Sequence, residues 1–353
     1  MGPAVVLGSS IFSLAESLSA AFALALRGLP RILRALFPPM SDSPRTSVGI
    51  DFGGTFVKIG VCRGGELLMT DEPIPTANFA GPAALITEMA ARVEKLRQTY
   101  PDICAIGVGV PGLVDFEHGF VHILTNVPGW KHVPLKAILG EKTGLPVVVE
   151  NDANAMAWAE FRYGAARGLT NMVALTMGTG IGGGLVLNGQ MYRGSGCAAG
   201  EIGQMSIDCD GKPGHYGNLG ALEKYTGNRE IAEHAVQRYA EAHITKTLDE
   251  CTPKKIAEAA KAGDDIARQV WDEVADWLGT AISSIAWLLN PDAFVIGGGV
   301  AQAGDLIFDP LKRKVQSMLS TVVWERLQIL PAKFSNEAGI IGNAALAADA
   351  VSA

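Results

Sequence analysis

Two segments of the chain repeat one pattern of hydrophobic and polar residues. In each segment an apolar strand ends in a turn of glycine and threonine, and a second apolar strand and a hairpin follow. The first unit has strands at 47–51 and 56–62, and the second has strands at 172–177 and 181–187. Because no break in composition separates the units, the pattern predicts a duplicated α/β core rather than two unrelated domains.

The spacing of apolar residues predicts the remaining elements. Apolar positions three and four residues apart predict helices, at 81–99, 153–163, 228–240, 254–262, 264–289, 304–318 and 338–350. Short apolar runs predict buried strands, at 103–110, 145–150 and 293–296.

Composition limits the class of protein. With 353 residues, of which 48% are hydrophobic and 18% charged, the chain suits two folded domains and is not disordered. Aromatic residues are only 7% and the net charge is −7, so we expect no nucleic-acid partner. The five cysteines form no Cys-x-x-Cys pair, which favours free thiols and a cytoplasmic protein. The 42 glycines are an excess that predicts many tight turns and close backbone approaches.

The N-terminal extension, residues 1–45, needs a separate interpretation. Residues 4–37 are strongly apolar, but no basic segment precedes them and Glu16 interrupts the run, unlike a signal peptide or a membrane span. Three arginines in this stretch fall on one helical face, so membrane contact through 4–37 by an interfacial helix is one interpretation. The alternative is that translation starts at Met40, directly before the first strand.

Each glycine–threonine turn has the chemistry of a phosphate loop. Glycines let backbone N–H groups approach a phosphate closely, and a threonine hydroxyl adds a donor. Two facing turns could hold phosphates from both sides. The sequence has no P-loop motif, so phosphate binding of the P-loop type is not expected. Asp51, at the end of the first strand, can hold Mg²⁺ directly or through water. The candidate cofactor-binding residues here are Asp51, Gly53, Gly54, Thr55, Lys58, Gly178, Thr179 and Gly180.

Several polar residues near strand ends are candidates for chemistry on a substrate. Asp152 follows the buried strand at 145–150, and in open α/β folds ligands bind at such strand ends. It is a candidate general base for a substrate hydroxyl, or else a helix N-cap. Glu201 and Glu223 could accept hydrogen bonds from sugar hydroxyls, or be solvated surface acids. A glycine triplet follows the last strand and could support a base or ribose, or form a tight connection: Gly297, Gly298 and Gly299.

Taken together, these segments resemble the ROK family of sugar kinases, within the superfamily of sugar kinases, actin and Hsp70-type ATPases. The matching stretches, whose order and spacing make the resemblance specific, are 49–55, 107–115, 126–130, 150–154, 177–184 and 199–203. The resemblance implies an α/β protein of the actin-like, ribonuclease H-like ATPase fold, with two lobes and a duplicated βββαβα core. The N-terminal lobe would span 46–150, completed by a C-terminal helix at 336–353, and the C-terminal lobe would span 151–335.

The resemblance also implies an ATP-dependent hexose kinase, with ATP and Mg²⁺ between the lobes. Asp152 would be the catalytic base acting on a sugar hydroxyl, usually O6. The sugar would be held by Gly112, Thr125, Asn151, Glu201, Gln204 and Glu223, and the adenosine would lie against Gly297, Gly298 and Gly299. Much of the glycine excess, at 53–54, 107–112, 178–184 and 297–299, is interpreted in this way as ligand loops. Relatives are commonly dimers, so we expect a homodimer.

One departure from the family concerns zinc. Members of the family usually hold a structural zinc ion with one histidine and three cysteines, and here those positions are Gln204, Gly214, Tyr216 and Ala221. These residues cannot form a tight zinc site, so we predict no zinc. The family's histidine also contacts the sugar, and its replacement by Gln204 leaves the sugar preference open.

Glucose is the expected substrate. Fructose, mannose or an N-acetylated hexosamine are alternative acceptors, and polyphosphate is an alternative donor. A sugar-responsive transcriptional regulator of the same family would carry a winged helix-turn-helix before the core, but here only about 45 residues precede it, without a basic recognition helix. An actin-like or chaperone ATPase without a sugar substrate is disfavoured by Asn151, Asp152 and Glu201.

Overall fold

The computed structural model describes residues 44–124, 127 and 129–352. Within them the strands are β1 (Thr46–Phe52), β2 (Phe56–Arg63), β3 (Glu66–Thr70), β4 (Ile74–Pro75), β5 (Ile103–Val110), β6 (Val114–Asp115), β7 (Phe120–Ile123), β8 (Lys131–Val133), β9 (Val147–Asn151), β10 (Met172–Met177), β11 (Ile181–Leu187), β12 (Gln190–Tyr192), β13 (Ala293–Gly297) and β14 (Gln328–Pro331). The helices are α1 (Pro82–Thr99), α2 (Leu135–Thr143), α3 (Asp152–Tyr163), α4 (Glu223–Thr226), α5 (Asn228–Glu241), α6 (Pro253–Lys261), α7 (Asp265–Leu289), α8 (Asp305–Met318), α9 (Thr321–Trp324) and α10 (Ala338–Ala350).

Two of the three sheets repeat one strand order. The first sheet has the order β3-β2-β1-β5-β9, with β4 also paired to β2, and the second has the order β12-β11-β10-β13-β14. In each sheet an antiparallel three-stranded meander is followed by two parallel strands. This repetition matches the duplicated core that the sequence pattern predicts. Strands β6, β7 and β8 form a small antiparallel sheet.

The hairpins of the two sheets use the same tight turn. Gly64 and Gly65 join β2 to β3 with φ of 56° and 87°, and Asn188 and Gly189 join β11 to β12 with φ of 54° and 74°. Two consecutive positive φ angles define the type I′ turn, whose twist matches that of paired strands. The hairpin predicted after the second strand of each unit is therefore present.

Helix α10 lies against the first sheet at a distance that only glycine permits. A Cβ atom on Gly49 would stand 2.7 Å from the carbonyl carbon of Ile340, and one on Gly107 would stand 2.5 Å from that of Asn343. The buried Asn343 donates a hydrogen bond from Nδ2 to the Ile50 carbonyl at 2.9 Å. A Cβ atom on Gly109 would meet this same asparagine side chain. The interpretation of residues 107 and 109 as ligand-loop glycines is therefore wrong, because they serve helix–sheet packing.

Helix α3 connects the two repeated sheets. It begins at the end of β9 in the first sheet, and its Ala157 packs against β11 of the second, where a Cβ atom on Gly184 would stand 2.6 Å from that of Ala157. On another side, Gly342 of α10 approaches the backbone of Ala155 equally closely. The predicted lobe boundaries at 150 and 335 stay predictions. Helix α3 contacts the second sheet as well as α10, and α10 lies against the first sheet.

Most predicted elements occur within a few residues of their expected bounds. The small sheet β6–β8, helix α2 and strand β14 were not predicted, because their apolar runs are too short to give a period. The proposed interfacial helix within 4–37 lies outside the described residues. In the described part of the chain, none of the helices combines the length and apolar character needed to cross a membrane.

Candidate active site

The first turn of helix α3 carries the candidate base. Asn151 is the N-cap, because its Oδ1 accepts hydrogen bonds from the backbone N–H groups of Ala153 (2.9 Å) and Asn154 (3.1 Å). Its Nδ2 donates to the carbonyl oxygen of Gly112 at 3.2 Å. The N-cap role that the sequence allowed for Asp152 therefore belongs to Asn151, and Asp152 is the first helical residue.

The carboxylate of Asp152 has an environment that disfavours its charge. Solvent reaches it, but protein atoms enclose its other sides, and its Oδ1 accepts the N–H of Ala153 at 2.8 Å. Burial raises the pKa of Asp152 to about 6 from the ordinary 3.8, and the negative charges of Asp51 and Glu201 add to the rise. The hydrogen bond from Ala153 opposes it. A raised carboxyl pKa beside other acids is a frequent property of catalytic sites.

Asp51 lies at the end of β1, opposite Lys58 on β2. The Lys58 Nζ is 3.8 Å from Asp51 Oδ2, a loose ion pair. Burial raises the pKa of Asp51, and the nearby ammonium group opposes this rise. A half-buried carboxylate without a tight protein partner fits Mg²⁺, which commonly takes one or two carboxylates together with waters and substrate phosphates.

The first glycine–threonine turn is held by its own backbone and by one neighbouring threonine. The N–H of Gly53 donates to the carbonyl of Phe56 at 2.9 Å. Thr76 donates from its hydroxyl to the Gly54 carbonyl at 2.7 Å and from its N–H to the Thr55 carbonyl at 3.0 Å. The turn is thus fixed through the N–H of Gly53 and the carbonyl groups of Gly54 and Thr55, and the side chain of Thr55 is exposed.

The second turn is fixed by a hydrogen bond within it and by contacts with Glu223 and Asn228. The N–H of Gly178 donates to the Gly180 carbonyl at 3.0 Å, and the Gly178 carbonyl accepts the N–H of Asn228 at 2.9 Å. Glu223 accepts the N–H of Ile181 at 2.9 Å through Oε2. A Cβ atom on Gly180 would collide with this carboxylate, whereas one on Gly178 would meet open space. Glu223 therefore lies directly against the candidate phosphate turn.

Glu201, Gln204 and Thr125 are the other candidate sugar ligands, and of these Glu201 lies near Glu223. Burial raises the pKa of Glu201, and the negative charge of Glu223 adds to this rise. Gln204 ends a short 3-10 helix, and its backbone carbonyl accepts Asn218 Nδ2 at 2.8 Å. Nε2 of His215 is 3.4 Å from Oε1 of Glu223. Thr125, the remaining predicted sugar ligand, lies outside the described residues.

A cavity of about 490 Å³ adjoins the second turn. It is lined in part by Gly299 and by Asn228, the residue that bonds Gly178. Its volume falls within the range of small-molecule sites, about 300–1,000 Å³. Gly298, in contrast, has φ of 88° and packs tightly on the backbone of Met177, and Gly297 packs near Ala332. Of this triplet, Gly299 is the residue that reaches the cavity.

Three polar residues of this cavity were missed in the sequence. Arg229 and Lys254 lie in the first turns of α5 and α6, and Gln302 lies just after the glycine triplet. Helical periodicity predicts each of these helices but not which helix ends meet. No sequence signal marked these residues.

The residues at the four family zinc positions do not fit zinc. Ala221 is buried and Tyr216 is largely exposed to solvent. A Cβ atom on Gly214 would collide with the side chain of Asn218, so a cysteine there would not fit without movement. Within 44–124, 127 and 129–352, no cluster of three or more His, Cys, Asp or Glu residues could hold a metal ion.

Comparison with known proteins places this site in context. A sequence model described as the ROK family matches residues 47–350. The glucokinase of Halalkalibacterium halodurans is 37% identical over 314 residues, which are 86% of this chain and 94% of the relative. The xylose repressor of Caldicellulosiruptor bescii is 31% identical over 255 residues, which are 71% of this chain and 64% of the repressor.

A solved structure gives the same match in three dimensions. The ROK family glucokinase from Streptomyces griseus, in complex with glucose and AMPPNP, superposes with a TM-score of 0.71 at 33% identity. The match covers 86% of this chain and 99% of that one. The similarity to the glucokinases thus extends over nearly their whole length, whereas the match to the repressor covers about two thirds of that protein.

Proposed function

The chain belongs to the ROK family and is a sugar kinase, and we propose that it transfers the γ-phosphoryl group of ATP to a hexose hydroxyl, with Asp152 as general base. The similarity to the ROK family glucokinase structure confirms the two-lobed α/β fold of the actin-like ATPases that the sequence predicts. One observation carries the mechanistic part. The Asp152 carboxylate is repelled both by Asp51, at the end of β1, and by Glu201 of the candidate sugar site, and both negative charges help to raise its pKa.

Asp152 would take the proton of the acceptor hydroxyl as that oxygen attacks phosphorus. At a pKa of about 6 the group is mostly ionised at neutral pH. It also binds a proton more strongly than an ordinary aspartate, which suits a general base. Phosphoryl transfer needs little further covalent help from the protein, since positioning and charge neutralisation provide most of the catalysis.

The sugar would be held on the side of Asp152 that faces Glu201 and Glu223. Asn151 and Gly112, joined by their hydrogen bond, would border the sugar from the first sheet, and Gln204 would complete its surroundings. Because Glu223 also accepts the N–H of Ile181 beside the second turn, it would couple the sugar position to the phosphate position.

The phosphates would lie between the two glycine–threonine turns. The first turn would contribute Gly53, Gly54, Thr55 and Lys58, and the second would contribute Gly178, Thr179 and Gly180. Asp51 would hold Mg²⁺, directly or through water, and the bound ion would neutralise charge on the transferred phosphoryl group. The zinc ion common in the family has no place in this mechanism, because its ligand positions do not fit.

The cavity beside Gly299 supports ATP as the donor. It lies next to the second turn through Asn228, so a nucleoside there would place its phosphates toward Gly178. A polyphosphate chain would need no such cavity. We propose that the adenosine occupies it, with Gly299 against the ring system and Gly297 and Gly298 shaping the connection.

Glucose is the proposed acceptor and O6 the proposed position, in keeping with the glucokinase relatives. The test is a kinase assay of the purified protein with glucose, fructose, mannose and N-acetylated hexosamines, each with ATP or polyphosphate. We expect the highest kcat/KM with glucose and ATP and glucose 6-phosphate as product. Sugar binding without phosphorylation of any sugar would overturn the proposal in favour of a regulator. The cytoplasmic location and the homodimer stay predictions.

A further inference from the structure

Glu150 is a buried carboxylate directly before the candidate base. It lies at the end of β9, and only 2% of its surface is exposed. Its Oε1 accepts hydrogen bonds from the backbone N–H of Asn151 at 2.9 Å and from Nδ2 of Asn154 at 3.0 Å. These two hydrogen bonds hold the N-cap residue and the first turn of α3 in place. Burial of a carboxylate is costly, and a paired cation with good hydrogen-bond geometry offsets that cost.

Arg193 provides this cation from the second sheet. It follows strand β12, and its Nε and Nη2 both lie 2.7 Å from Glu150 Oε2. In the described part of the chain, Glu150 forms no other ion pair. Both oxygens of Glu150 are thereby occupied, one by the start of α3 and the other by Arg193. Because Glu150 belongs to the first sheet, the ion pair joins the two sheets beside Asp152.

Two further contacts fix the arginine. Its guanidinium carbon is 3.5 Å from the centre of the Phe116 ring, which lies between β6 and β7 of the small sheet. Such stacking suits the planar guanidinium group and would be lost in a lysine. The backbone carbonyl of Arg193 accepts the N–H of Ala199 at 3.0 Å, at the beginning of the segment that leads to Glu201. Arg193, which follows β12 of the second sheet, therefore contacts Glu150 of the first sheet and Phe116 in the hairpin of the small sheet. Its carbonyl also holds the beginning of the segment that leads to Glu201.

We propose that Arg193 is a positioning residue for Asp152. By holding Glu150, it fixes the start of helix α3 relative to the second sheet and to the loop that carries Glu201. The inference rests on the proposed function, since it concerns the distance between the base and the bound sugar. Arg193 touches neither reactant and acts through Glu150 and Asn151.

Three variants test this role. Arg193→Met removes the charge but keeps the length of the side chain, and leaves Glu150 buried without a counter-charge. Arg193→Lys keeps the charge but not the planar contact with Phe116. In the double variant Glu150→Gln with Arg193→Met, the glutamine Oε1 can still accept from Asn151 and Asn154, and no buried charge remains. Arg167→Met is the matched control, since the structure describes no side-chain partner for this exposed arginine.

The expected result is a loss in kcat that exceeds any change in sugar binding. A displacement of about 1 Å in a reacting group can lower turnover about 10²-fold. We therefore expect Arg193→Met to lose about that factor in kcat while KM for the sugar changes far less. Arg193→Lys should lose less, because it keeps a cation beside Glu150. The double variant should stay well below the wild type, because it has no buried charge but still lacks the link between Glu150 and residue 193. Arg167→Met should match the wild type. Each rate is referred to the concentration of sugar-binding sites, measured by titration, so that unfolded protein does not count.

Several results would overturn the proposal. Arg193→Met with wild-type kcat per binding site would show that the arginine does not position the base. A double variant with wild-type kcat would do the same, because it would show that the uncompensated charge of Glu150, and not the loss of the link to Arg193, slowed Arg193→Met. If Arg193→Met does not fold, the double variant takes its place, and wild-type kcat per binding site in the double variant overturns the proposal.

The outcome also separates this proposal from the function itself. Asp152→Asn is measured in the same series. If the wild-type protein phosphorylates no sugar, the proposed function fails and the role of Arg193 fails with it. If the wild type is active, Asp152→Asn is inactive and Arg193→Met is unimpaired, only the role of Arg193 is overturned.

Discussion

Acidification should remove most of the activity, because Asp152 then holds a proton and cannot accept another. With its pKa at about 6, the ionised fraction falls from about nine-tenths at about pH 7 to about one-tenth at about pH 5. The kcat/KM for the sugar should therefore fall about tenfold. An aspartate with the ordinary pKa of 3.8 would stay about nine-tenths ionised at the lower pH, and kcat/KM would hardly change.

The negative charge of Glu201 allows a second test of the raised pKa of Asp152. Glu201→Gln removes a negative charge that raises the pKa of Asp152, so the acid limb of the kcat profile should move to lower pH. The displacement should be well under one pH unit, because burial, and not Glu201, is the main cause of the raised pKa. Saturating sugar is used for this variant, since Glu201 is itself a proposed sugar ligand.

The assay quantifies sugar phosphate directly, so that no coupling enzyme contributes its own pH dependence. ATP and Mg²⁺ are saturating, and thermal unfolding at each pH shows that the protein stays folded. A profile that is flat between about pH 5 and about pH 7 would refute the assignment of Asp152 as the base with a raised pKa. A limb that moves to higher pH in Glu201→Gln would refute the electrostatic account.

Three other predictions concern packing, metal content and the nucleotide. Gly107→Ala should lower the free energy of unfolding by about 1–3 kcal/mol in urea titrations, because the new methyl group meets the backbone of α10. Gly140→Ala, within helix α2, should instead be neutral or slightly stabilising, because the nearest atom to its methyl group would be the Leu145 carbonyl oxygen at 3.6 Å. Metal analysis of the purified protein should find no stoichiometric zinc, and one zinc ion per chain would contradict the account of the four replaced ligand positions. Gly299→Leu should raise KM for ATP about tenfold, equivalent to about 1.4 kcal/mol, with KM for the sugar unchanged; equal effects on both would place the nucleotide elsewhere.

The sequence predicts the duplicated core well, because each unit carries a complete local signal. An apolar strand, a glycine turn and a two-residue hairpin, Gly-Gly in the first half and Asn-Gly in the second, recur along the chain, and each has its own physical preference. Asp152 is found for a similar reason, since polar residues between a buried strand and a helix lie at a strand end. Its neighbour Asn151 takes the cap position, a choice that the sequence left open.

Glycine was harder to interpret, because one residue type serves two purposes. Gly178 faces open space beside a candidate ligand site, as expected for a phosphate turn. Gly49 and Gly107, by contrast, allow α10 to lie on the first sheet. Only the packing of a helix more than two hundred residues further along the chain distinguishes these roles, and no local pattern contains that information.

Arg193 shows the same limit for charged residues. An arginine after a short hairpin is usually a solvated side chain, and its partner Glu150 is distant in sequence. Their pairing depends on how the second sheet meets the first. The cavity residues Arg229 and Lys254 were missed for the same reason, because they come together only where two helix ends meet.

Removal of the base tests the central claim most directly. Asp152→Asn keeps the shape of the side chain and its place in the first turn of α3, but it cannot take a proton from a hydroxyl. Single-turnover phosphorylation of glucose by ATP should slow by about 10²–10⁴-fold, while glucose still binds in an equilibrium titration. Turnover at the wild-type rate in this variant would contradict the account.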